Sequence, residues 1–142
     1  MRDIEKIKQY TFDLMAVYKY KCSRCKKEFA SAVSTSDTDM VPMLLDSVYC
    51  PKSNTLAIAE ITDEEFYNSC KDSMPKRIGK AFNGQEFFYI DYHKICPLCN
   101  GKLEESKSIK LNQYIKENPS VYLFYFDENG NIQKESLSQR DK

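Results

Sequence analysis

The sequence predicts a mixed α+β fold, and three observations support this prediction. Two C-x-x-C pairs, Cys22 with Cys25 and Cys96 with Cys99, are each bounded by segments that suit strands. Alternating polar and apolar residues predict strands elsewhere, whereas spacings of three and four residues predict helices. At 142 residues, the chain is long enough to bury a core as a single domain.

The segment that precedes and includes the first cysteine pair predicts a helix and then a hairpin. Ile4 and Ile7 lie three residues apart among charged residues, which predicts a short helix over residues 2–10. The residues at 15–22 change to an alternating pattern and predict a strand. Residues 26–32 then predict the returning strand.

The long segment between the two pairs predicts helices with one short strand. Asp37, Thr38 or Asp39 can cap a helix over residues 40–48, and residues 55–61 predict the strand. A capping box formed by Thr62 and Glu65 then starts a second helix. Phe66, Cys70 and Met74 lie on one face of this predicted helix, and Pro75 ends it.

The last third of the chain predicts a strand, a helix and a hairpin. Residues 85–94 are rich in aromatic side chains and predict the strand before the second pair. Ser106 or Ser108 can cap a helix that ends near Glu117. The apolar residues 121–126 and the Asn-Gly dipeptide that follows them predict a hairpin whose first strand is buried on both faces.

The cysteine pairs predict one zinc site. Two sulfurs separated by two residues reach one metal ion while the turn directs backbone amides at them, and two such turns complete a tetrahedron. Asn100-Gly101 supplies a residue suited to positive φ after the second pair, whereas Lys26-Lys27 stands there after the first. Iron is the alternative metal. Two further residues are alternative ligands: Cys50, in Cys-Pro-Lys-Ser, and His93, the only histidine.

The two cysteine turns resemble the knuckles of zinc-ribbon and rubredoxin-like proteins. The resemblance implies a structural metal held by four ligands, namely Cys22, Cys25, Cys96 and Cys99. It also implies a zinc-ribbon-like antiparallel core within one zinc-stapled domain over residues 1–142. The predicted parts are the two ribbon halves (12–33 and 85–105), a helical insert (34–84), a C-terminal helix with its hairpin (106–137) and a frayed tail (138–142).

Charge is balanced overall but unevenly distributed along the chain. The net charge of zero divides into +4 over residues 1–30, −6 over 31–75, +3 over 76–102 and −1 over 103–142. The cysteine pairs therefore lie in basic segments, and the first half of the insert is acidic. Lysines and arginines beside the sulfurs would offset the charge of about −2 that four thiolates leave on a zinc ion.

These observations favour a non-catalytic zinc protein that acts as a protein-interaction or regulatory module. The alternative is a nucleic-acid binder that uses the basic knuckles, with stacking on nearby aromatic rings (Tyr18, Tyr20, Phe87, Tyr89 or Tyr92). An enzyme is the least favoured class, because four thiolates leave no open coordination position and no known catalytic motif occurs. The charged N-terminus and the thiol chemistry favour the cytoplasm, with no membrane span.

Overall fold

The computed structural model describes residues 4–34, 45–62, 65, 70–90, 93–118 and 120–137. These residues contain three helices and eight strands, so the predicted α+β fold class is confirmed. In chain order the elements are α1 (Ile4–Leu14), β1 (Met15–Cys22), β2 (Glu28–Ser34), β3 (Leu45–Cys50), β4 (Thr55–Glu60), α2 (Cys70–Lys80), β5 (Leu103–Glu105), β6 (Ile109–Lys110), α3 (Leu111–Glu117), β7 (Val121–Phe126) and β8 (Ile132–Ser136).

The first sheet is built around β1, which carries the first cysteine of the site. β2 pairs with one edge of β1 in an antiparallel hairpin, from Met15↔Ser34 to Lys21↔Glu28. β5 and β6 both pair antiparallel with the other edge. The register places Cys22 opposite Leu103, so the strand after the second knuckle lies beside the strand that leads into the first. The hairpin predicted over residues 15–32 is confirmed.

The second sheet has the order β3-β4-β7-β8, and its central pair, β4 with β7, is parallel. The prediction of a helix over residues 40–48 is wrong for residues 45–48, which begin β3; residues 40–44 lie outside the described part. Antiparallel pairing with β4 outweighs the local helical pattern, because it buries Val48, Tyr49 and Cys50. The insert is therefore not only helical, since it supplies two strands.

A serine side chain connects the two sheets. Ala32 of β2 donates its N–H to Ser47 Oγ of β3 at 2.8 Å, and the same hydroxyl lies 3.5 Å from the Ala32 carbonyl oxygen. The main core packs against this junction and includes residues of both sheets, among them Phe29, Leu56 and Leu123. The two sheets consequently share this core.

The helix of the insert continues past its proline, so the prediction that Pro75 ends it is wrong. Met74 and Ile78 lie one turn apart and are both buried, and this packing stabilises the helix on both sides of Pro75. The predicted capping box is confirmed: Thr62 N donates to Glu65 Oε1 at 3.0 Å, and Glu65 N donates to Thr62 Oγ1 at 3.1 Å.

Two predictions near the second cysteine pair are corrected. Residues 85–90 form no strand; only Phe88 pairs, through one isolated antiparallel bridge to Tyr49. Neither Ser106 nor Ser108 caps α3, because residues 109–110 pair with β1 and Lys110 becomes the N-cap residue. Both serines therefore lie in the connection between β5 and β6, before the helix begins.

The C-terminal hairpin is confirmed, with β7 and β8 joined by a turn at residues 127–131. Val121, Leu123 and Phe124 are buried, and the other residues of β7 are half-buried. No helix in the described ranges has the length and apolar character needed to cross a membrane. The predicted caps at 37–39, the side chains of Phe66 and Cys70, Tyr92 and the tail at 138–142 lie outside the described residues.

Candidate metal centre

The structure brings the two distant cysteine pairs together. The Sγ atoms of Cys22, Cys25, Cys96 and Cys99 all lie within 4.8 Å of one another. The Cys22 and Cys99 sulfurs are 3.3 Å apart, and those of Cys25 and Cys96 are 3.8 Å apart. Sulfurs at the corners of a tetrahedron with metal–sulfur bonds of about 2.3 Å are about 3.8 Å apart. The four sulfurs are therefore spaced as ligands of one metal ion.

The two knuckles have matching backbone hydrogen bonds. In the first knuckle (Cys22–Lys27), Cys22 N donates to Lys27 O at 2.9 Å and Lys26 N donates to Cys22 O at 3.1 Å. In the second knuckle (Cys96–Gly101), the bonds from Cys96 N to Gly101 O and from Asn100 N to Cys96 O are 2.7 and 2.9 Å long. The fifth residue has φ of 66° at Lys26 and 63° at Asn100. The turns therefore form a matched pair.

Lys26 occupies the position in the first knuckle that Asn100 occupies in the second, and both residues have positive φ. The left-handed conformation costs an ordinary L residue about 1–2 kcal/mol. Lys26 adopts it nevertheless, and its Nζ donates to the Ser23 carbonyl at 2.9 Å. Lys26 is thus the residue of the first knuckle that carries this backbone strain.

Gly101 is required for space and not for its dihedral angles. A Cβ atom at this position would lie 2.9 Å from Cys22 Sγ, 2.9 Å from Arg24 Cβ and 3.2 Å from Cys99 Sγ. The backbone of the second knuckle thus lies close to one sulfur of each pair. Only glycine fits this close approach without a shift of the sulfurs or of the knuckle, so the residues around the four sulfurs are tightly packed.

Backbone amides point at two of the sulfurs. Arg24 N and Cys25 N each lie 3.4 Å from Cys22 Sγ, and Leu98 N lies 3.4 Å from Cys96 Sγ. The Cys25 amide above all lowers the pKa of Cys22 to about 6, which favours the thiolate. Burial raises the pKa of Cys96 to about 11. A cation between the sulfurs would favour the thiolate at both positions.

Basic side chains surround the sulfurs, but several are already engaged. Arg24 Nη1 donates to the Cys99 carbonyl at 3.1 Å, which ties the first knuckle to the second. Lys94 pairs with Glu105 at 2.5 Å. The role of Arg24 as a link between knuckles was not predicted, and no feature of its local sequence could have revealed it.

The alternative ligands lie outside the cluster. Cys50 is buried at the end of β3, and its thiol lies 3.7 Å from Gln85 Oε1. His93 is exposed and precedes the second knuckle. In the part of the chain that the structure describes, the only group of ligating side chains close enough to hold a metal ion is that of the four predicted cysteines.

Comparisons with known protein families, with curated proteins and with solved structures found no match to this chain. What the geometry itself defines is a four-cysteine centre that can hold a metal ion, within a two-sheet α+β fold.

Proposed function

We propose that this chain is a non-catalytic zinc-binding protein that serves as an interaction or regulatory module for another protein. The observation that carries the proposal is the set of four mutually adjacent cysteine sulfurs, which supply every ligand that a tetrahedral ion needs. Such an ion has no position left for water or substrate, so it holds the chain together and does not activate a reactant.

Zinc is proposed over iron because redox-inert zinc is the metal most suited to a purely structural site. Zinc at this position would join the two knuckles, which are separated by about half of the chain, and so would supply on the order of 10 kcal/mol of folding free energy. Reduced cysteines are needed for this binding. All five cysteines whose side chains are described are free, which fits the proposed location in the cytoplasm.

A protein partner is proposed over a nucleic acid because three of the basic residues near the sulfurs are engaged in internal contacts. Lys94 and Lys19 are paired with Glu105 and Glu117, and Arg24 contacts the Cys99 carbonyl. A nucleic-acid interface needs unpaired cations that replace the counterions of the phosphates. The knuckles offer fewer unpaired cations than their number of lysines and arginines indicates.

The zinc proposal is tested by measuring the metal content of the purified protein and of two variants. We expect one zinc ion per wild-type chain and none in the quadruple Cys→Ser variant at positions 22, 25, 96 and 99. Because the ion supplies much of the folding free energy, the quadruple variant should also lose its cooperative thermal transition. Cys50→Ser is the matched control, since it removes a buried thiol outside the cluster and should keep the zinc.

Two outcomes would count against the zinc proposal: iron in the purified wild type, or a quadruple variant that keeps its metal and its thermal midpoint. The interaction proposal has its own test. Tagged protein is used to capture partners from the cell in which it occurs, and binding to single-stranded and duplex oligonucleotides is titrated at low salt. Oligonucleotide binding that weakens steeply with salt and with Lys26→Glu would favour the alternative.

A further inference from the structure

A groove runs beside the second knuckle, on the side that faces the turn after β3. Its volume is about 820 Å³, and its walls include Pro51 and Lys52 from that turn, Leu98 from the knuckle, Lys27 from the first knuckle, and Phe88. The Cys-Pro-Lys-Ser segment, whose cysteine is the alternative ligand Cys50, thus forms a wall of this groove.

The groove exposes apolar surface that the fold does not use. Leu98 on its wall is 46% exposed. Ile95, which precedes the same knuckle and does not line the groove, is 52% exposed. Five large apolar residues among the described residues are exposed by 36% or more, and two of them, Ile95 and Leu98, lie three positions apart here. Such a concentration of exposed apolar side chains indicates an interaction site more than isolated ones do.

The groove is also held in shape. Phe88 exchanges two backbone hydrogen bonds with Tyr49, of 2.9 and 2.8 Å, and its ring packs edge-on against Phe29 at 6.3 Å between centroids. The Leu98 amide is directed at Cys96 Sγ. The Phe88 ring is therefore held by the core and the Leu98 backbone by the second knuckle, so little backbone order has to be gained on binding.

Positive charge flanks the apolar walls. Lys27 and Lys52 are exposed, and neither forms an ion pair with another described residue. A hollow of about 500 Å³ adjoins the groove along Lys27 and Pro51, and its lining includes Lys21 and Lys26 together with the carboxylate of Glu28. Among the described residues that line the groove itself, Glu86 is the only one with a carboxylate. The groove therefore presents an apolar slot beside the ammonium groups of Lys27 and Lys52.

We propose that this groove binds an acidic peptide segment of a partner protein, with one apolar side chain seated between Leu98 and Phe88 and flanking carboxylates directed at Lys27 and Lys52. The inference rests on the proposed protein-binding function and adds the surface and the chemistry of the partner. A nucleic acid fits this surface less well, because an exposed leucine offers phosphates and sugars nothing to bind.

The test is a fluorescence-anisotropy screen in which the zinc-loaded full chain is titrated against a set of peptides, each nine residues long. Each peptide has Leu, Phe or Ser at its centre and flanks of Asp/Glu, Lys/Arg or Ser/Gly. We expect binding only where an apolar centre is combined with acidic flanks. Leu98→Ser should weaken that binding about tenfold, and Lys27→Glu with Lys52→Glu should weaken it further and reduce its salt dependence.

Matched controls separate the groove from general effects. Ile132→Ser removes an apolar side chain with the same 46% exposure on β8, and Lys107→Glu reverses an exposed charge elsewhere; both should leave the affinity unchanged. All variants should retain one zinc ion per chain. The proposal is overturned if no peptide binds, if basic flanks bind as well as acidic ones, if oligonucleotides alone bind, or if Ile132→Ser matches Leu98→Ser.

Failure here differs from failure of the proposed function. If the wild-type protein captures a partner from the cell and Leu98→Ser captures it equally well, the interaction function stands and the groove assignment is wrong. If the protein holds no zinc, the proposed function itself fails regardless of the peptide result.

Discussion

We expect Gly101→Ala, which adds one methyl group, to weaken metal binding at the candidate centre more than the small size of a methyl group indicates. The added Cβ of Gly101→Ala would lie 2.9 Å from Cys22 Sγ, about half an ångström inside ordinary van der Waals contact. Either the sulfur or the second knuckle must move by that amount. Metal–sulfur distances in a stable site vary by only about 0.2 Å, so the displacement is too large to be absorbed at the ion.

The expected cost follows from that displacement. Overpacking a tight site typically costs about 1–3 kcal/mol, and 1.4 kcal/mol corresponds to a factor of ten in affinity. We therefore expect Gly101→Ala to bind zinc about 10- to 100-fold more weakly than the wild type. Competition against a fluorescent zinc chelator measures this ratio, and the thiolate absorption bands of the cobalt-substituted protein report any change in geometry.

Gly130→Ala is the control for this prediction. Gly130 has φ of 81°, and a Cβ there meets nothing within 4 Å, so alanine brings backbone strain without a clash. That strain should lower the free energy of unfolding by about 1 kcal/mol and leave the zinc affinity unchanged. Wild-type zinc affinity in Gly101→Ala, or an equal loss in both variants, would refute the packing argument.

Two further predictions concern stability. Burial alone would raise the pKa of Glu65, but hydrogen bonds from Arg77 and from Thr62 N–H outweigh it and hold that pKa below its usual range. Glu65→Gln should therefore cost about 2 kcal/mol at neutral pH. The difference in thermal midpoint should shrink as the pH falls through the lowered pKa of the folded state, because the wild-type carboxyl then becomes protonated too; a difference that does not vary with pH would contradict this. Because Lys26 has positive φ, Lys26→Gly should be neutral or stabilising, whereas Lys27→Gly should destabilise by about 0.5–1 kcal/mol in denaturant unfolding. Equal losses in the two glycine variants would show that the lysine conformation is not strained.

The parts of this fold that the sequence could predict are those with local signals. The hairpin at 15–32 alternates strongly, the capping box has both of its partners within four residues, and the Asn-Gly dipeptide marks the last turn. The four cysteines of the candidate site could be named because two C-x-x-C pairs are a specific pattern. Their approach in space matches that prediction, while the zinc-ribbon description of the core stays a prediction.

The errors arose where long-range pairing decides the structure. The candidate caps at 37–39 predict a helix over residues 40–48, yet residues 45–48 pair with β4, because this pairing buries Val48 and Tyr49. Residues 85–90 look like a strand from their aromatic content, but β3 offers them only the single bridge at Phe88. The parallel pairing of β4 with β7 joins residues more than sixty positions apart, and no local pattern encodes it.

That parallel pair means that the insert cannot be removed to leave a minimal metal-binding fragment. Deleting residues 34–84 would take away the neighbour of β7 and expose Leu123 and Phe124 to water. Engineering of this scaffold would have to keep the chain intact or replace β4 with another strand. Removal of the proposed zinc ion should also unfold both sheets together, in a single cooperative step, because the two sheets share the main core.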